Sequence, residues 1–282
     1  MSAMQQGMLW PRTVDEATAM LAADPDAKPL AGGATLVAMM NAHVIEPQAL
    51  VNLSRIDELR GIRAAAGGAV RIGAFTRHAE TAACALLRGP AGVVRQAASK
   101  IANATVRNMG TIGGSISFAD PGLDYPPALV AAGASVEIAG TSGRRQVAAA
   151  DFFVDWYTTA LEPGEIVTAV LVDATRTSGA AYVKHARVAG DYATASAAVC
   201  IDAAGPVRAV IGSCGPTPVR DDAADALLSA DRSDAAIARA AALLDARADP
   251  LDDVRGSAEY RRLLIPRLLL RAVRQAETGP SA

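Results

Sequence analysis

The sequence predicts an α+β fold in two domains, 1–175 and 176–282, and three observations carry that prediction. Helix and strand signals alternate through the first half, whereas the last third runs strands first and helices after. Neither a Gly-x-Gly-x-x-Gly fingerprint nor a Gly-Lys dipeptide occurs, which removes the Rossmann unit and the phosphate loop. The apolar pattern gives way to Thr, Arg and Ser near Asp173 to Ser178, where the domain boundary is expected.

In chain order, Thr13 reads as a helix N-cap with Glu16 at the capping-box position before Ala17, Met20 and Leu21. Pro29 to Ala31 reads as a short strand ending at a glycine pair, Thr35 to Asn41 as helix, and Ala49 to Leu53 as strand. Ile62–Ala66 and Val70–Phe75 flank Gly67-Gly68 as a hairpin. Pro90 to Ala102 carries a helical pattern, as does Pro126 to Ala132. A strand over Ala134–Ala139, a turn at Gly140–Gly143 and a strand over Ile166–Val172 follow. The last third predicts three strands (Ala181–Ala186, Thr194–Asp202, Val207–Gly212) and three helices (Asp221–Leu228, Asp234–Ala246, Ser257–Gln275). Pro266 is expected to kink or divide the last helix.

Composition narrows the function classes. The chain is 51% hydrophobic and 20% charged, enough for a core built mostly from small aliphatics. A net charge of −2 without a basic run argues against nucleic-acid binding. No apolar run reaches the length of a membrane span, and Met1 to Pro11 lacks the pattern of a signal peptide, so a cytoplasmic location is expected. Cys84, Cys200 and Cys214 are odd in number and form no Cys-x-x-Cys, so neither a disulfide framework nor an iron–sulfur cluster of the chain's own is expected. Cys214 has no histidine near it in sequence to make it a nucleophile, and His43, His78 and His185 read as ordinary surface or core residues.

Two glycine pairs stand out: Ala31-Gly32-Gly33-Ala34-Thr35 and Thr111-Ile112-Gly113-Gly114-Ser115. Without a Cβ the backbone approaches a ligand closely, and successive inward amides form an anion site. Two such loops suit the two halves of a pyrophosphate, so a dinucleotide is the first ligand to consider. Asn103, Arg107, Asn108 and Thr111 before the second pair, with Asp120, Asp124 and Tyr125 after it, add polar side chains for phosphate, sugar and ring.

The stretch Ile101 to Asp124 closely resembles the signature of the FAD-binding medium subunit of molybdenum hydroxylases, the carbon monoxide dehydrogenase and xanthine dehydrogenase family. Leu30-Ala-Gly-Gly-Ala-Thr-Leu36 with Leu50 to Ile56, and Tyr182 to Ala193, resemble it as well. The resemblance implies a flavin-binding fold of the vanillyl-alcohol-oxidase type, with subdomains at about 1–55 and 56–175, then a C-terminal three-stranded sheet packed with helices. It implies FAD held by Leu30, Ala31, Gly32, Gly33, Ala34, Thr35, Thr111, Gly113, Gly114 and Ser115. Asp124 matches an acidic contact to a ribose or adenine edge, Lys184 a lysine near the flavin, and Tyr192 an aromatic against its ring. Ser115 stands where many relatives carry Asn, and Ala34 where they often carry a polar residue.

By the same resemblance, the molybdenum cofactor lies on a large partner subunit and the 2Fe–2S clusters on a small one. Electrons then reach FAD here and leave to an external acceptor, within a heterotrimer. No catalytic acid or base is expected on this chain. A self-sufficient FAD oxidoreductase and a flavin-free scaffold remain as alternatives.

Overall fold

The computed structural model describes residues 7–174 and 177–278. Thr175 and Arg176, inside the expected domain boundary, lie outside the described residues, as do 1–6 of the N-terminal segment. The first helix, Val14–Ala23, starts as its sequence dictates: Thr13 Oγ1 accepts from the Glu16 amide at 3.1 Å. The Glu16 carboxylate, however, accepts from the Arg12 amide at 2.7 Å, one residue before the cap. Val14, Ala17, Thr18 and Leu21 are buried along one helix face.

Three strands near the N-terminus, Gly7–Leu9, Ala49–Asn52 and Lys28–Leu30, form a small parallel sheet with Ala49–Asn52 in the centre. A second, antiparallel sheet has the order Ile62–Ala64, Ala69–Gly73, Ile166–Asp173, Ser135–Gly140, Gly143–Ala148. Its central strand is its last in sequence and is almost continuously apolar, as burial on both faces requires. The hairpin between its first two strands turns at Gly67 and Gly68, both with positive φ.

The C-terminal sheet contains the three expected strands as Thr177–His185, Ala195–Asp202 and Val207–Gly212, and a two-residue fourth strand, Val219–Arg220, joins its edge. Side chains alternate across it with a period of two. Ala180, Tyr182, Ala198, Cys200 and Val210 face the first hydrophobic core, and Ala181, Val183, Ala197, Val199, Ala209 and Ile211 face the second, under the C-terminal helices. The outer edge of Thr177–His185 is closed by Gln96, on the helix Ala91–Lys100. Its amide donates to the Ala180 carbonyl at 3.0 Å, and its side-chain oxygen accepts from the Tyr182 amide at 2.9 Å.

The helices Asp222–Ala230, Asp234–Arg247 and Ala258–Thr278 cover the other face. The last lies so close to the sheet that a Cβ at Gly179 would overlap the Ala276 carbonyl. Pro266 does not divide this helix. It sits on the exposed face, while Leu264, Ile265, Leu268 and Leu269 stay buried against the sheet. No helix among the described residues is long and apolar enough to cross a membrane.

Because Pro266 costs a helical hydrogen bond and gains no burial, Pro266→Ala is expected to stabilise the chain by roughly 1–3 kcal/mol. Urea unfolding of both proteins checks this; an unchanged or lower midpoint would show that the ring has a packing role.

Candidate functional site

The strand Lys28–Leu30 delivers the chain into the loop Ala31–Thr35, which leads to the short helix Leu36–Asn41. Gly33 takes φ of +74°, which excludes most side chains. At Gly32 the reason for glycine is different. A Cβ there would fall inside the Met109 carbonyl group, so the loop lies directly on the Met109–Gly110 peptide. Gly110 in turn rests on His78, where a Cβ would come within 2.5 Å of Nε2, and its carbonyl accepts from the His78 amide at 3.0 Å. The glycines thus join pieces of main chain that are far apart in sequence.

The second glycine pair is not a loop. Gly113 and Gly114 occupy the first turn of the helix Ile112–Phe118, capped by Thr111, whose Oγ1 accepts from the Gly114 amide at 3.2 Å. The Ile112 and Gly113 amides donate to the carbonyls of Thr76 and Ala74 at 3.0 and 2.9 Å. These donors are therefore already spent, contrary to an amide cradle at both pairs. The amides of Gly32, Gly33, Ala34 and Thr35 have no hydrogen-bond partner among the described residues. Neither do the hydroxyls of Thr35, Ser115 and Ser117.

Between the two segments lies a cleft of about 540 Å³. Of the expected residues, Ala31, Gly32, Gly33, Ala34, Thr35, Thr111, Gly113, Gly114, Ser115, Asp124 and Tyr192 line it; Leu30 and Lys184 do not. Sequence reasoning missed the apolar walls, among them Leu53, Phe75, Ile101, Val106, Phe118, Leu123 and Ile166, and missed Lys28, Glu165 and Asp191. Its polar cluster also has other work. Asn103 caps the helix Ala104–Met109, Arg107 donates to the Ile101 and Ala102 carbonyls at 2.8 Å, and Asn108 donates to Ala104. Asp120 accepts from the Gly122 amide at 2.7 Å.

Asp124 is 5% exposed and forms a buried pair with Lys184, Nζ to Oδ2 at 2.9 Å. Tyr182 donates its hydroxyl to Asp124 Oδ1 at 2.6 Å, and Lys184 also donates to the Lys100 carbonyl at 3.2 Å. Burial pushes the Asp124 carboxyl up, while the Lys184 ammonium and the Tyr182 hydroxyl pull against it. Lys184 is thus neither a solvated strand charge nor part of the cleft lining; it fixes Asp124.

His78, read from sequence as an ordinary histidine, is a buried member of the lining. Its Nδ1 lies 3.2 Å from the Tyr125 hydroxyl. Burial, with repulsion from Arg107, lowers its pKa to about 4, so the ring is neutral near pH 7. Cys214 is fully buried and its thiol is pushed up to about 12, the opposite of a poised nucleophile.

A cleft with apolar walls, four unspent amides and several free hydroxyls fits a flavin dinucleotide, whose rings are apolar and whose linker is anionic. Residues 3–173 match the family described as the FAD binding domain in molybdopterin dehydrogenase, and 180–276 the CO dehydrogenase flavoprotein C-terminal domain. The chain is 38% identical to the carbon monoxide dehydrogenase medium chain of Afipia carboxidovorans, over 95% of each. It is 33% identical to the nicotine 6-hydroxylase medium subunit of Paenarthrobacter nicotinovorans, over 94% of this chain and 95% of that one. Among solved structures, one of carbon monoxide dehydrogenase from Hydrogenophaga pseudoflava superposes with a TM-score of 0.91 at 36% identity, covering 96% and 97% of the two chains. Quinoline 2-oxidoreductase from Pseudomonas putida 86 gives 0.90 at 28% identity, covering 96% of each.

Two outcomes follow from the geometry. Gly32→Ala forces the loop off the Met109 carbonyl and is expected to cost roughly 1–3 kcal/mol of stability. FAD binding should be lost with it; a titration showing undiminished affinity would disconnect this loop from the ligand. His78 gives a pH dependence. Its depressed pKa favours folding above its ordinary value near 6.5, and that contribution is lost as pH falls through about 4. A displacement of this size is worth about 3 kcal/mol. Urea midpoints measured across this range should fall less steeply for His78→Gln than for the parent chain.

Proposed function

We propose an electron-relay role for this chain, which belongs to the family of FAD-binding medium subunits of molybdenum-dependent dehydrogenases and hydroxylases. In this reading it assembles with a large molybdenum-cofactor subunit and a small iron–sulfur subunit. Electrons enter from the clusters and leave to an external acceptor. The division of the chain into a flavin-binding part, 1–175, and a C-terminal part, 176–282, belongs to the same proposal.

When bound, FAD supplies redox chemistry that connects one-electron carriers to an acceptor taking one electron or two. The chain's own residues bind and position it. The observation that carries the reading is the run of unspent amides from Gly32 to Thr35 at a cleft of about 540 Å³. These amides would meet the pyrophosphate, and because they are main-chain donors, the methyl of Ala34 removes none of them. The hydroxyls of Thr35, Thr111 and Ser115 would hold neighbouring oxygens. Of the Asp124 oxygens, Oδ1 and Oδ2 each already accept one hydrogen bond, so a ligand hydroxyl would take a second lone pair. Lys184 acts through Asp124. The apolar side chains of Phe118, Leu123 and Ile166 would keep water from the rings, and Tyr192 would cover one ring face.

The test is a visible spectrum of the protein captured from its native host by a tag on this chain, with the accompanying subunits identified by mass. Flavin and iron–sulfur absorption with two partner chains is the expected result. Flavin without partners would replace this reading with a self-sufficient oxidoreductase, and a colourless chain that takes up no added FAD would overturn it.

A further inference from the structure

Tyr192 stands at the rim of the cleft, in the connection between the strands Thr177–His185 and Ala195–Asp202. Its ring packs on Gly122, where a Cβ would come within 3.2 Å of Cδ1. The Arg255 guanidinium lies over the ring, its Cζ 4.9 Å from the centroid. Arg255 is not among the residues that line the cleft.

What fixes Arg255 does not involve Tyr192. Asp253 accepts from the Arg255 amide at 2.7 Å and from Nη1 at 3.1 Å. Asp253 is itself held by Arg261 Nη2 at 2.5 Å, and Arg261 is buried and donates to the Thr194 and Ser213 carbonyls at 2.6 and 3.0 Å. The loop around Arg255 is joined to the Tyr192 segment at two further points. Arg187 Nη1 donates to the Val254 carbonyl at 3.1 Å, and Thr194 Oγ1 donates to the Arg255 carbonyl at 3.3 Å. Arg255 Nε is buried with no hydrogen-bond partner among the described residues, and its ion pair with Asp191 is long, Nε to Oδ1 at 4.0 Å. With Nη1 held by Asp253 and Nε left without a hydrogen bond, the guanidinium presents its face to the Tyr192 ring.

We propose that Arg255 is a positioning residue for the flavin pocket: through its cation–π contact it holds the Tyr192 ring at the cleft, so flavin binding depends on a side chain outside the cleft. The inference rests on the flavin reading above and extends it to the C-terminal part of the chain. A cation over a phenol face is a modest attraction at the surface and a larger one where water is excluded. Its strength suits the tuning of one ring's orientation better than the support of the fold.

The experiment is a double-mutant cycle in the full-length chain, read by FAD titration and by the emission of bound flavin, which a packed phenol quenches. Arg255→Met, which keeps the apolar stem and removes the cation, should weaken FAD binding roughly three- to tenfold and brighten the bound flavin. Arg255→Lys should recover part of both. Tyr192→Leu should also weaken binding and brighten the flavin, and adding Arg255→Met to it should change neither readout further. Equal losses from Arg255→Met with and without Tyr192 would overturn the proposal, as would an Arg255→Met chain that binds and emits like the parent. A parent chain that binds no FAD would remove the flavin reading and this inference together, whereas normal binding without coupling removes this inference alone.

Discussion

At Gly32 two stretches of main chain meet with no side chain between them, and the cleft follows from that meeting. The loop Ala31–Thr35 ends one sheet's strand, and the Met109–Gly110 peptide ends a helix that belongs to another layer. With the loop seated on this peptide, its amides have no hydrogen-bond partner among the described residues. The helix Ile112–Phe118 begins two residues further on, anchored by the carbonyls of Ala74 and Thr76. A single atom added at position 32 would separate the parts on which the cleft's two sides are built. Glycine is needed there for chain-to-chain contact before any ligand is considered.

The elements legible in the sequence are those whose cause is local. Thr13 and Glu16 announce their helix start because a cap is an interaction within one turn, and the apolar runs of the C-terminal strands announce a sheet covered on both faces. The helix at Ile112 was hidden, because glycine and serine lower helix propensity and tertiary bonds to Ala74 and Thr76 supply what propensity does not. The same physics separates the site residues. Glycine pairs mark where backbone comes close, and both pairs line the cleft. Asn103, Arg107 and Asn108 looked like ligand groups, yet their bonds go to nearby backbone, a use that sequence does not distinguish. His78 and Arg255 act through partners 47 and 63 positions away, Tyr125 and Tyr192, and no local signal marks them.

The pair Asp124–Lys184 joins residues 60 positions apart at a place where water cannot help. Removing two charges from water is expensive, and their attraction compensates only when hydrogen bonds complete the arrangement. Here Tyr182 and the Lys100 carbonyl complete it. Such a pair adds little net stability. Its value is orientation: it sets the C-terminal strand that carries Tyr182 and Lys184 against the cleft that Asp124 lines.

The sheets also determine how this chain can meet other chains. The edge strands Lys28–Leu30 and Ile62–Ala64 are three residues long, and Val219–Arg220 is two. The longer edge Gly143–Ala148 carries Arg144 and Arg145, engaged with Glu58 and Glu165, and the edge at Ala180 and Tyr182 is occupied by Gln96. Short, charged or occupied edges resist the addition of a foreign strand. Neighbours in an assembly would therefore recognise this chain by the shape and chemistry of its side chains. Assembly by such contacts asks for no rearrangement of the backbone ladders.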